Sequence, residues 1–151
     1  MHLETSEHPE PLETRSNHAQ CRDLRLDGMQ LNNEMNALYP QLRRAKHERD
    51  SIDQQLRTLN SELVDVTREI SQLAKPTRLA RRPGIVGVVT GGLQYLHLSN
   101  RKKTLESQMT NLRARRITAV RAVNTAQTQI TRRERRQERI RQERRKLGCR
   151  G

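Results

Sequence analysis

The sequence predicts an all-α fold, an antiparallel coiled-coil helical hairpin that self-associates and has a disordered N-terminal tail. Two long heptad patterns of apolar residues predict two helices, and a segment with glycines and prolines separates them. The 151-residue chain has no Phe, no Trp and two Tyr. Because aromatic side chains dominate the burial in compact cores, this composition argues against an ordinary globular domain.

The first heptad pattern predicts a helix over residues 21–74, preceded by a disordered acidic tail over residues 1–20. Its steps alternate between four and three residues, and an average of ~3.5 keeps one face of a helix directed at a partner. Pro40 falls on the outer face, where it either kinks the helix or marks its first turn. The pattern comprises Leu31, Met35, Leu38, Leu42, Ala45, Arg49, Ile52, Leu56, Leu59, Leu63, Val66, Ile70 and Leu73.

The second heptad pattern predicts a helix over residues 93–147. Gly148 is a natural end for this helix, and residues 148–151 form a short tail. Beyond Ile130 the same phase continues with mostly polar residues, so the apolar face fades toward the C-terminus. The pattern comprises Tyr95, Leu98, Lys102, Leu105, Met109, Leu112, Arg116, Ala119, Val123, Ala126 and Ile130.

The segment between the patterns, residues 75–92, contains two prolines and four glycines and predicts the tip of a hairpin. Pairing positions whose numbers sum to 168 sets Leu63 against Leu105 and Leu56 against Leu112. A sum of 175 is the alternative register. We favour 168 because it sets large residues of one helix against small residues of the other.

A second apolar strip lies beside the second heptad pattern, at Ala114, Ile117 and Val120. On a helical hairpin, such a strip is explained most simply by dimerisation into a four-helix bundle. The expected partner is therefore a second copy of the chain or another coiled-coil protein.

Charge is distributed unevenly along the chain. Residues 1–100 carry 13 basic and 13 acidic side chains, whereas residues 101–151 carry 17 basic and 4 acidic ones, so the whole net charge of +13 lies in the last third. Four glutamates flank the first heptad pattern and are expected to approach cations on the second helix. They are Glu34, Glu48, Glu62 and Glu69. They are too few to neutralise the second helix, which predicts an external anionic partner.

The arginine-rich end of the second helix is the candidate contact surface for that partner. The planar guanidinium group of arginine suits phosphate, and an arginine-rich helix can bind nucleic acid through its backbone. Alternatives are an acidic protein partner, membrane phosphate, or a solvated helix with Glu–Arg pairs such as Arg139/Glu143 and Glu138/Arg141. The candidate contacts are Arg132, Arg133, Arg135, Arg136, Arg139, Arg141, Arg144, Arg145 and Lys146.

Residues 84–98 are uncharged, rich in glycine and flanked by basic residues. They predict either a plain hairpin turn, which we favour, or a wedge that touches an anionic membrane surface. The apolar run is too short and too broken for a spanning helix, which needs ~20 apolar residues. We found no signal peptide and expect an intracellular protein of the cytoplasm or nucleus.

Cys21 and Cys149 are the only cysteines. In the 168 register they lie two residues from facing each other, so a disulfide or a metal shared with His18 is conceivable. Two free surface thiols are the simpler interpretation, since two cysteines without a signal peptide indicate a reducing compartment. No spacing of histidines and cysteines predicts a zinc site, and we expect no metal and no cofactor.

Catalysis has no support in the sequence. No constellation of nucleophile, base and acid stands out, and a two-helix hairpin offers no concave scaffold for one. We expect a non-enzymatic coiled-coil interaction or scaffold protein whose arginine-rich helix docks an anionic partner, with nucleic acid as the first hypothesis. The alternatives are a membrane-associated coiled coil, a purely structural spacer, and a chain without a discrete activity.

Overall fold

The computed structural model describes residues 12–74 and 85–150. Nearly all of them belong to two helices, α1 over Leu12–Ala74 and α2 over Ile85–Lys146. The two helices pack against each other as a hairpin, and the described residues contain no strand. The prediction of an all-helical hairpin is therefore confirmed.

Both helices begin earlier than predicted. α1 begins at Leu12, so residues 12–20 of the expected disordered tail are helical, whereas residues 1–11 lie outside the described residues. α2 begins at Ile85, so residues 85–92 of the expected tip are helical, and residues 75–84 lie outside the described residues. Helix α2 runs through Gly87, Gly91 and Gly92, since a glycine costs a helix only about 1 kcal/mol relative to alanine. The last proline of the sequence is Pro83, so no proline interrupts α2.

Helix α1 runs through Pro40, which therefore does not mark the beginning of the helix. Proline has no backbone N–H and removes the hydrogen bond to the carbonyl four residues earlier, that of Asn36. Leu38 and Leu42, two residues away on either side, are both buried. Their packing offsets the lost hydrogen bond.

The C-terminal end of α2 has the hydrogen-bond pattern of a Schellman motif. Gly148 has a φ of +69°, in the left-handed region that glycine adopts without strain. Its N–H donates to the carbonyl of Arg145 at 3.1 Å, and the N–H of Cys149 donates to the carbonyl of Arg144 at 2.9 Å. Gly148 ends the helix as predicted.

The chain divides into two compact units, each built from facing stretches of α1 and α2. The terminal unit comprises Met1–Arg43 and Asn124–Gly151, and the central unit comprises Arg44–Val123. Among the described residues, the buried side chains of the terminal unit are Leu31, Met35, Leu38, Leu42, Ala126, Ile130 and Ile140. Those of the central unit are Ile52, Val66, Leu98, Leu105, Met109, Leu112, Ala119 and Val123. Each of these residues lies at a position of the two heptad patterns or of their continuation.

The core of the central unit supports the 168 register. Leu56 and Leu59 pack against a cluster of Ile52, Leu112 and Ala119. A second cluster joins Val66 to Leu98 and Leu105, with partly buried side chains around it at Leu59, Leu63 and Ile70. The predicted pairs Leu56–Leu112 and Leu63–Leu105 thus each lie within one cluster.

Three positions of the two heptad patterns are exposed. In the second pattern these are Tyr95, its first residue, which is 48% exposed, and the charged Arg116. Leu73, the last residue of the first pattern, is 39% exposed. It lies one residue from the end of α1, where few facing side chains can cover it.

Candidate functional site

Ion pairs between the helices link acidic residues of α1 to arginines of α2. Three of the four flanking glutamates reach α2 as predicted, and Asp53 provides a further pair; Glu69 has no ion pair among the described residues. The pairs, with their N···O distances, are Glu34–Arg133 at 2.8 Å, Glu48–Arg115 at 2.8 Å, Glu62–Arg101 at 3.6 Å and Asp53–Arg116 at 2.5 Å. These contacts match the helices by charge as well as by apolar packing.

Three of the nine predicted contact residues make hydrogen bonds within the chain. Arg133 binds Glu34 and also donates to the carbonyl of Gln129 at 3.1 Å. Arg141 donates to the carboxylate of Glu138 at 3.2 Å. Arg144 donates to the carbonyl oxygen of Arg150 at 3.3 Å, beside the Schellman motif. Their guanidinium groups are at least partly occupied by structural contacts.

Arg132, Arg135, Arg136 and Arg139 are exposed, and none of these four forms an ion pair with any carboxylate that the structure describes. The same holds for Arg145, which lies on another side of α2. Of the two Glu–Arg pairs that would have neutralised this helix, Glu138/Arg141 forms and Arg139/Glu143 does not. The positive charge of these four arginines is therefore left to solvent.

These four arginines lie on one side of α2, since residues three or four apart in a helix are neighbours. Together with Arg133 they line a shallow groove that α1 completes, and we call this surface the arginine groove. It is formed by Leu31, Glu34, Arg132, Arg133, Arg135, Arg136 and Arg139. The single carboxylate in it, that of Glu34, is bound to Arg133.

The other four predicted residues lie outside the arginine groove. Arg141 and Arg145 follow Glu134 and Glu138 at helical spacing, which makes that side of α2 electrically balanced. Lys146 lies in a separate depression with Asp23 and Asp27. The structure therefore divides the predicted surface into a strongly basic part and a balanced part, a division that composition alone does not reveal.

Cys21 and Cys149 form a disulfide, so the expectation of two free thiols was wrong. Their Cα atoms are 5.7 Å apart, within the usual range for a bridge. The 168 register already placed the two residues near each other, and that proximity was the sequence signal for the bond. The expectation of free thiols came from the inference of a reducing compartment, and the disulfide does not support that inference.

No metal centre is apparent in the described part of the chain, where no three His, Cys, Asp or Glu side chains are grouped suitably for an ion. The sulfur atoms of Cys21 and Cys149 are bonded to each other, so they are not thiolate ligands for a metal shared with His18.

Several apolar side chains of the central unit are exposed. Ile117, in the second apolar strip, is 54% exposed and Val120 is partly buried. Leu93 and Leu96, near the beginning of α2, are 65% and 58% exposed. Within the residues that were described, neither helix has an apolar stretch of the length needed to cross a membrane.

The chemistry offered by the arginine groove is recognition of anions. Each guanidinium group can donate two parallel hydrogen bonds to a phosphate or a carboxylate. Several such groups along one helix suit a ligand with repeated negative charges better than a single small anion. Comparisons with protein-family models, with curated proteins and with solved structures find no match to this chain.

Proposed function

We propose that this chain is a non-enzymatic coiled-coil interaction protein that binds the phosphate backbone of nucleic acid through the arginine groove. The observation behind the proposal is the set of four exposed arginines on one side of α2 with no carboxylate partner among the described residues. Like charges so close together repel one another, and a polyanion relieves that repulsion while releasing its own counterions.

The hydrogen bonds of Arg133 support this use of the groove. The Arg133 guanidinium binds Glu34 on α1 and the Gln129 carbonyl on α2, which ties the two walls of the groove together. The groove is therefore held in shape before any ligand arrives, and preorganisation reduces the ordering cost of binding.

The absence of aromatic residues indicates which kind of nucleic acid is bound. Sequence-specific recognition of single strands stacks bases on aromatic side chains. The segment from 124 to 151 contains no aromatic residue, and Tyr39 is the only one in residues 12–43. We therefore propose phosphate-directed binding to a duplex with little dependence on its sequence.

The test is the salt dependence of binding to a short RNA or DNA duplex. In a quadruple variant, Arg132, Arg135, Arg136 and Arg139 are replaced by Gln. A control variant replaces four exposed basic residues of the central unit by Gln: Lys46, Lys103, Arg113 and Arg121. The two variants lose the same charge, so they separate a local contact from the effect of net charge.

We expect the logarithm of the binding constant of the parent to fall linearly with the logarithm of salt concentration, with a slope of about −0.9 per phosphate neutralised. The groove variant flattens this slope, and the control variant retains most of it. Equal slopes for both variants would contradict the proposed site. No detectable duplex binding by the parent at low salt would contradict the proposed function.

We further propose that the helices form a coiled coil and that the chain self-associates through the second apolar strip. The exposure of Ile117 supports this, because an apolar strip left open on a hairpin is covered when two hairpins pack together. Sedimentation equilibrium of the parent and of Ile117→Glu tests the idea. A parent that dimerises and a variant that remains monomeric are expected; a monomeric parent refutes it.

Contact with an anionic membrane is the second candidate function, supported by the exposure of Leu93 and Leu96 ahead of the basic residues 101–103. Co-sedimentation with anionic vesicles checks it, with Leu93→Asp/Leu96→Asp as the variant. Equal pelleting of the parent and the variant excludes this use of the two leucines.

A further inference from the structure

The disulfide lies in the same unit as the arginine groove. Cys21 belongs to α1, and Cys149 is the last residue of the Schellman motif at the end of α2. The two residues are 128 positions apart in the chain, so the bond fastens the C-terminal end of α2 to α1 within the terminal unit. The arginines of the groove lie on the turns of α2 that lead to this bond.

Apart from the Arg133–Glu34 contact, those turns have little other support. After Ile130, the only buried side chain in the described part of α2 is Ile140. The segment 132–146 has nine basic and three acidic residues, and similar charges close together destabilise a helix. A helix with so little apolar burial and so much repulsion is marginal without an additional constraint, since tertiary packing supplies most helical stability in proteins.

The end of the helix is organised around the bond. The Schellman motif turns the chain so that Cys149 faces α1, and Arg144 donates to the carbonyl of the next residue, Arg150. Releasing Cys149 frees this turn to unwind, and the unwinding can proceed backwards along α2 toward Arg139.

We propose that the Cys21–Cys149 disulfide is a redox-controlled clasp that sets the affinity of the arginine groove for polyanions. This inference rests on the proposed function and adds its regulation. A dithiol reductant supplies two electrons and two protons, the S–S bond breaks into two thiols, and the dithiol becomes a disulfide. In the oxidised protein the end of α2 is helical and fixed on α1. In the reduced protein it frays back to Arg139, which then leaves the side of α2 that carries Arg132, Arg135 and Arg136.

The experiment compares oxidised and reduced protein by two independent measurements. Hydrogen exchange of the backbone amides of residues 140–147 reports the clasp without any ligand. Binding of a short RNA or DNA duplex at low salt reports the groove. A Cys21→Ser/Cys149→Ser variant, with and without reductant, controls for effects of the reductant itself.

We expect reduction to accelerate exchange at these amides at least about tenfold and to leave exchange in residues 98–123 much less affected. If the binding-competent state falls to about one tenth of the population, duplex affinity falls about tenfold. The serine variant resembles the reduced parent and does not respond to reductant.

Each contrary result overturns a different statement. Unchanged exchange on reduction overturns the clasp. Faster exchange with unchanged duplex affinity overturns the regulation but leaves the proposed function standing. Absence of duplex binding in both redox states overturns the proposed function together with its regulation.

Discussion

Replacing Ile52 by Ala tests whether the heptad face of the central unit is a true core. Ile52 is fully buried and packs with Leu112 and Ala119. The substitution removes three side-chain carbons, worth ~0.8 kcal/mol each when buried, or ~2.4 kcal/mol together. A residual cavity adds to this figure, but Leu56 and Leu59 are only partly buried and can move inward. We therefore expect a loss of about 2–3 kcal/mol in the free energy of unfolding, in the lower half of the range for such substitutions.

The matched control is Ile117→Ala, which makes the same chemical change at a side chain that is 54% exposed. We expect it to cost less than about 0.5 kcal/mol in dilute solution, as exposed substitutions usually do. Urea unfolding followed by far-UV circular dichroism gives both values, and repeating it at several protein concentrations separates hairpin stability from self-association. If a second copy of the chain covers Ile117, the loss of unfolding free energy caused by Ile117→Ala increases with protein concentration.

The reasoning is refuted if Ile52→Ala costs no more than Ile117→Ala at every protein concentration. That result would mean that the heptad face of α1 is not buried in solution. A change in the slope of the unfolding curve for Ile52→Ala would instead show that the substitution alters the unfolded or native ensemble, and the comparison would then use Leu112→Ala.

Three further predictions concern the ion pairs, the helix end and the register. A double-mutant cycle on Glu34 and Arg133, measured by urea unfolding, is expected to give a coupling free energy of about 0.5–1 kcal/mol. The coupling should decrease as salt is added, because both side chains are only about two thirds buried. Zero coupling at low salt would exclude the ion pair. Gly148→Ala places a Cβ at a φ of +69° and is expected to lower the free energy of unfolding by about 1 kcal/mol. The effect should be seen most clearly as faster amide exchange near the end of α2. An unaltered exchange pattern would argue against the Schellman motif. Cysteines introduced at positions 56 and 112 should cross-link within one chain, since both residues belong to one core cluster; links between two copies at position 56 alone would indicate a parallel dimer instead.

Periodicity located the core because burial in a pair of helices depends mainly on spacing along the sequence. Every side chain that is buried in the described part of the chain occupies a heptad position, including Ile140 on the fading part of the second pattern. The flanking glutamates could be paired with α2 on the same ground, and three of the four make the expected contact. The helix boundaries were predicted less well, because glycine and polar residues disfavour a helix only weakly. A long helix that is already formed continues through them.

The arginine groove was only partly predictable. Composition identifies the arginine-rich end of α2 but does not distinguish among its nine candidate contact residues. The division between Arg132, Arg135, Arg136 and Arg139 on one side of α2 and Arg141 and Arg145 on the other follows from helical spacing, which sets the latter two beside Glu134 and Glu138. Side-chain geometry decides which ion pairs form, and the order of residues does not specify that Glu138 pairs with Arg141 while Arg139 does not pair with Glu143.

The sequence by itself determined that this chain forms two facing helices, which residues lie between them, and that the positive charge collects at one end of α2. These properties follow from spacing and composition, which act locally and repeat along the chain. Only the tertiary structure decided which arginines remain without a carboxylate partner in the described chain and that Cys21 and Cys149 are bonded. Ion pairs and disulfides depend on distances of a few ångströms between residues remote in sequence, and those distances exist only after the helices have packed.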